Sequence, residues 1–223
     1  MVKAIIYKEW LKSRWYLLGI VLMTVVAAAF SFVNLGKIFQ FNGAAPVWST
    51  LVYKDTTFME NLKFLPLLSG IALAVAQWVP EMNRKCLKLT LHLPYPRGRM
   101  ILMMYLYGVI SLAILFCIVA LAAALFLGHY FPHELTGRII MTMIPWYLAG
   151  FAGYLWTSGL VTEPTWSARV LILLLLAGFV RLAFISTVPE SYNGFLPLMT
   201  VFVLCGQLIL FHSIARFREG LQD

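Results

Sequence analysis

Long uncharged apolar runs, rather than alternating apolar and polar positions, dominate this chain. An ionised side chain in the hydrocarbon of a bilayer costs several kcal/mol, so stretches without Asp, Glu, Lys or Arg mark the segments able to lie in lipid. Such runs cover residues 15–36, 64–80, 100–133, 139–162, 170–189 (interrupted by Arg181) and 191–215. At roughly 20 residues per crossing, they predict spans at about 15–36, 62–80, 100–127, 139–161, 169–188 and 195–215. Apolar residues surround each predicted helix on every side, as in a bundle immersed in lipid. The expected fold is an all-α membrane protein with six transmembrane helices in a single domain over residues 1–223.

Composition narrows this further. The chain is 61% hydrophobic and 12% charged, with a mean hydropathy of +0.85, whereas a soluble domain is about 25% charged. Six spans of about 20 residues leave about 100 for everything else, too few for a separate ATPase or catalytic domain. Cys86, Cys117 and Cys205 are widely separated and lack CxxC spacing, so neither a disulfide framework nor a zinc site is indicated.

The net charge of +8 is explained by its distribution. If the N-terminus is cytoplasmic, that side holds Lys3, Lys8, Lys12, Arg14, Arg84, Lys85, Lys88, Arg97, Arg99, Arg169, Arg216 and Arg218, against Lys37, Lys54, Lys63 and Arg138 outside. The positive-inside bias then predicts that both termini are cytoplasmic, as an even number of crossings requires. The charge reports topology in a cell membrane, expected to be a bacterial cytoplasmic one, and no nucleic-acid partner is expected. The first apolar run exceeds 20 residues and its charged flank contains Glu9, which is unlike a cleavable signal.

Three segments outside the spans stand out. Residues 2–14 place Ile6 with Trp10, Tyr7 with Leu11 and Lys8 with Lys12 four apart. That spacing predicts a short interfacial helix with its lysines toward water and anionic lipid; the same charges also read as a topogenic flank. In the loop of residues 80–99, Met82, Cys86, Leu89 and Leu93 would form an apolar stripe on a helix starting at Glu81, and Glu81 could pair with Arg84 and Lys85. Pro94 and Pro96 would end that helix. This segment reads either as a docking helix or as a basic retention loop. The third segment is the exit at 212–223, with Arg216 and Arg218.

Together these segments resemble the membrane subunits of ABC-2 type transporters, the permeases of ABC exporters. Lys8-Glu9-Trp10 is similar to the Lys-Glu pair of that family's elbow helix. Glu81, Arg84, Lys85, Lys88, Thr90-Leu91, Leu93-Pro94 and Arg97 resemble its loop after the second span, and Arg216-Phe217-Arg218-Glu219 its exit. The resemblance implies a permease half that pairs with a second half, as a homo- or heterodimer, and with separate ATPase subunits that bind ATP and Mg. Residues 81–97 would be the coupling helix. The short 187–194 segment departs from members with re-entrant hairpins at that point, shifting any external cap toward residues 37–62.

No catalytic motif is present. GxxxxGK[ST], GxSxG and HExxH are all missing, so no enzymatic activity and no cofactor are expected of this chain itself. His129 and His133 are four apart, but Pro132 would break a helix between them. Arg181 is the one charge within a span; it either faces a substrate cavity or snorkels to the outer headgroups. Trp146, Tyr147, Tyr154 and Trp156 either line a hydrophobic substrate path or pack internally. Trp10, Trp15, Trp78 and Trp166 sit where interfacial anchors belong. Ala149 with Gly153, and Ala72 with Ala76, permit close helix approach. The rival readings are a membrane enzyme acting on lipid and a non-transporting scaffold or sensor.

Overall fold

A computed structural model describes residues 2–42, 62–83, 96–186 and 190–219. Its helices are α1 (Val2–Asn42), α2 (Leu65–Asn83), α3 (Arg97–Tyr130), α4 (His133–Thr162), α5 (Trp166–Ala183) and α6 (Leu196–Glu219). All six are long and apolar enough to cross a membrane, so the chain is a multi-pass membrane protein. The break between α3 and α4 falls at Phe131-Pro132, where the missing amide of Pro132 ends one helix and its fixed φ opens the next.

Two boundaries differ from expectation. Residues 2–14 and the first span form one uninterrupted helix, because nothing from Lys12 to Tyr16 is a helix breaker and Ser13 bonds back to the Glu9 carbonyl at 2.8 Å. At 41 residues and 1.5 Å per residue, α1 is about 60 Å long, twice the hydrocarbon thickness of roughly 30 Å. Likewise, α2 continues through Pro80 to Asn83, so Glu81 lies in its last turn instead of opening a new helix.

α4 organises the bundle. Its apolar window is 67% buried, against 22% for α1 and α5, and it packs most extensively on α2 and α6. Lipid tails supply no hydrophobic drive for helix association, so close backbone approach carries much of the adhesion. At the α2–α4 crossing, a Cβ on Gly70 would overlap the Gly150 carbonyl, and one on Gly150 would come within 2.7 Å of the Pro66 carbonyl oxygen. Gly206 of α6 meets the Trp156 ring in the same way. Trp156, Phe202 and Phe179 then stack in sequence, with centroids 4.3 and 4.2 Å apart.

α1 attaches along a seam. Its buried or half-buried positions include Glu9, Ser13, Leu17, Ile20, Thr24, Ala28, Ser31 and Leu35, spaced four, four and three apart, an 11-residue repeat of about 3.67 residues per turn that stays close to the straight-helix period. α3 runs parallel to α1 along this seam. Ser13 meets Tyr107 at 2.7 Å and Phe32 stacks on Phe126 at 4.3 Å, both at an offset of 94 residues.

Side-chain bonds fix the ends. The start of α1 meets the end of α2 and the start of α3, and the end of α4 meets the end of α6. The start of α1 and the end of α6 thus lie toward one end of the bundle, called here the terminal end. At the other end, Lys63 donates to the Phe184 carbonyl at 3.2 Å and sits over the Phe64 and Phe184 rings.

The glycine crossing predicts a sharp asymmetry. Gly70→Val forces α2 from α4 and is expected to cost about 1–3 kcal/mol by overpacking, seen as a lower midpoint of thermal unfolding in detergent. Gly19→Ala, inside α1 and in open space, should not lower the midpoint, since alanine suits a helix interior better than glycine.

Candidate functional site: a buried charge cluster at the terminal end

Helical spacing gathers the participants. Lys8 with Lys12 and Glu9 with Ser13 are four apart on α1, Glu9 with Lys12 three apart, and Gln77 and Glu81 lie four apart on α2. The antiparallel meeting of these helix ends brings the two sets together. Lys12 Nζ lies 2.7 Å from Glu81 Oε1, 2.8 Å from Glu9 Oε1 and 3.4 Å from the Gln77 carbonyl. Lys8 Nζ reaches the same Glu81 oxygen at 2.8 Å. Glu9 and Glu81 are 0% and 1% exposed, and two ammonium groups balance two carboxylates.

Burial of this kind is stable only as a set. Removing one member of a buried ion pair costs about 3–5 kcal/mol, because it strands the other charge. Glu81 Oε2 and both Glu9 oxygens lack an aligned hydrogen-bond donor. Glu9 is therefore held through its charge contact with Lys12, and it depends on Lys12 more than Glu81 does.

A neutral polar chain continues inward. Gln77 Nε2 donates to the Met104 carbonyl at 2.7 Å, and its Oε1 accepts from Tyr154 OH at 2.8 Å. Since the Ser13 hydroxyl donates to the Glu9 carbonyl, Tyr107 OH is the donor in their 2.7 Å contact. Charge and hydrogen bonding thus join α1, α2, α3 and α4 near the terminal end.

A second buried carboxylate closes the other side. Glu163, just past α4 and 2% exposed, contacts Arg216 Nη1 at 2.9 Å. It also accepts from Thr165 at 2.9 Å and from Ser213 at 2.6 Å. Arg169 Nε donates to the Glu163 carbonyl at 2.7 Å. These contacts pin the α4–α5 turn to α6.

The predicted site residues fare unevenly. Lys8, Glu9 and Glu81 belong to the cluster, and Trp10 is half exposed beside it. Lys12 is largely withdrawn from the surface and Lys8, still partly exposed at the rim, also reaches toward α2, because Glu81 presents a buried carboxylate at their level. Arg84, Lys85, Lys88, Thr90, Leu93 and Pro94 lie outside the described residues, and so does the expected pairing of Glu81 with Arg84 and Lys85; Arg97 opens α3. Arg181 is on an exposed position of α5. Trp146 is buried in the core, and Tyr147 stacks on Phe116 at 5.1 Å. Burial therefore separates these two from Arg181. Tyr154, Trp156 and Trp78 are also buried; Tyr154 and Trp156 pack internally, and Trp78 is not an interfacial anchor.

Gln77, Tyr107, Glu163 and Ser213 escaped sequence reasoning, which names Tyr154 only as a substrate-path or packing residue and not as a partner of Gln77. The available signal for Gln77 was an amide inside an apolar run, four residues before a carboxylate. For Glu163 it was an acid directly after a span, with arginines in two other segments. Among the described residues, no group of three or more His, Cys, Asp or Glu could hold a metal ion. Comparison with protein-family models, with curated proteins and with solved structures finds no match.

The amide bridge carries its own prediction. Gln77→Leu leaves the Tyr154 hydroxyl and the Met104 carbonyl without this partner and should destabilise the protein by about 1–2 kcal/mol in detergent unfolding. Adding Tyr154→Phe to that variant should cost little more, because the hydroxyl has already lost its main acceptor. Fully additive losses would show that the bridge does not act as a unit.

Proposed function

We propose that the chain is the membrane-spanning permease half of an ATP-driven exporter of the ABC-2 type. It would couple ATP hydrolysis on a separate ATPase subunit to substrate movement through paired bundles in a cell membrane. The observation that carries this reading is the position of the Lys8–Lys12–Glu9–Glu81 cluster. Glu81 lies in the last turn of α2 and is bound to the first turns of α1. The segment 84–95, basic at Arg84, Lys85 and Lys88, follows directly and leads into α3 at Arg97.

Any force on residues 84–95 therefore reaches α2 through the chain, α1 through the lysines, and α4 through Gln77 and Tyr154. This is the mechanical requirement of a coupling segment: it must move several helices as one body. In the proposed orientation the terminal end is cytoplasmic, residues 2–14 ride with the coupling segment as the straight extension of α1, and Glu81 ties the two together. The second permease half and the ATPase subunits complete the machine, with ATP and Mg held by the ATPase. The glycine-tight α2–α4 pair would carry the motion through the membrane as a rigid unit.

The test is co-purification. The full chain is co-expressed with the product of its neighbouring reading frame, which this reading requires to be a P-loop ATPase. Wild type should retain the ATPase through affinity purification and stimulate ATP hydrolysis. Deletion of residues 84–93, bridged by a short glycine linker, should abolish both while leaving the thermal unfolding midpoint unchanged. Undiminished association and hydrolysis in the deletion would refute the coupling role.

A further inference from the structure

α1 and α3 touch at Ser13–Tyr107 and again at Phe32–Phe126, and between these contacts the pair leaves a groove of about 610 Å³. That volume falls within the roughly 300–1,000 Å³ typical of small-molecule sites. Its walls are aliphatic, with Leu18, Val21 and Val25 on α1 facing Ile114 and Ile118 on α3. The two wall hydroxyls make no demand on an occupant. Thr24 donates to the Ile20 carbonyl at 2.6 Å and Ser111 to the Tyr107 carbonyl at 2.7 Å, each within its own helix.

One end of the groove is cationic. Arg14 lies there with its guanidinium 5.6 Å from the centre of the exposed Trp15 ring, and the exposed Trp10 also lines this end. The nearby lysines at 8 and 12 are committed to Glu9 and Glu81, whereas Arg14 makes no ion pair among the described residues. From Arg14 to Val25 is about 16 Å along the helix at 1.5 Å per residue, close to half of a hydrocarbon core roughly 30 Å thick. The groove is thus one leaflet deep, with its charge at headgroup level between aromatic anchors.

We infer that this groove binds one anionic phospholipid, its phosphate on Arg14 and an acyl chain along Val21, Val25, Ile114 and Ile118. Charge selects this occupant over a second copy of the chain. A two-fold axis along the membrane normal would bring identical residues together at equal depth and would set the two Arg14 side chains near each other with no carboxylate between them. A phospholipid supplies both the anion and an aliphatic tail of the right length. The site is independent of the ATPase reading.

Native mass spectrometry of the full chain, released from detergent with dioleoyl phosphatidylglycerol or dioleoyl phosphatidylcholine, tests this. Phosphatidylglycerol should be retained preferentially. Arg14→Gln should lower its retention about fivefold, the effect of one basic side chain at the membrane surface, with phosphatidylcholine unaffected. Arg14→Lys should keep most of the preference. Val21→Trp, which fills the groove, should reduce retention of both lipids, and Lys3→Gln, an exposed charge away from the groove, should change neither. Arg14 is exposed and Arg14→Gln gives up only the contact with the exposed Trp15 ring, so it tests the site even if Val21→Trp fails to fold. Unchanged phosphatidylglycerol retention in Arg14→Gln would overturn the proposal. So would a dimer in which two Leu18→Cys copies cross-link to each other.

Discussion

Two carboxylates buried at the meeting of α1 and α2, held by a lysine they share, are the constraint on which the rest of this structure depends. Neither Glu9 nor Glu81 could remain charged there alone, since uncompensated burial of an ion costs several kcal/mol. With Lys12 between them and Lys8 at the rim, the set is neutral and fixes the register of the first helix against the second. From that register follows the 94-residue offset between α1 and α3. The offset in turn determines where the two helices touch and where they part to leave a lipid-facing groove.

The rest of the bundle is joined in a different way. α2 and α4 adhere through absent side chains, the glycines at 70 and 150 allowing backbone to meet backbone. α4 and α6 are joined by a ring stack and by the Glu163 contacts at the terminal end. Polar fixings at the terminal end and close apolar packing along the membrane give a body whose two ends are held differently. Residues 84–95 leave that body at its most polar point. In the proposed exporter, this is where mechanical work would enter.

Much of the architecture was legible in the sequence because charge avoidance in lipid is a strong constraint. The six apolar runs correspond to six helices, and Pro132 marks the break between α3 and α4. Helix ends were less legible. Pro80 read as the end of a span, yet α2 passes through it, since a proline near a helix end forfeits one hydrogen bond while the tertiary contacts of Glu81 hold the last turn. The lysines at 8 and 12 read as water-facing because spacing gives a shared face but not a partner. Only the fold brings Glu81 to them, across 69 residues in the case of Lys12. Gln77 and Tyr154 could not be paired from sequence for the same reason, and on all-round apolar helices the seam of α1 has no contrast against its lipid-facing side.

A double-mutant cycle on Lys12 and Glu81 measures the central interaction most directly. Lys12→Met and Glu81→Leu are made singly and together, and the free energy of unfolding of each is determined in detergent. Each single change should destabilise by about 3–5 kcal/mol by leaving buried charge uncompensated, and the pair should lose clearly less than the sum of the two, the remaining loss being that of Glu9, which Lys12→Met also strands and which a further Glu9→Gln should relieve. Strictly additive single losses, or single variants as stable as wild type, would contradict the account.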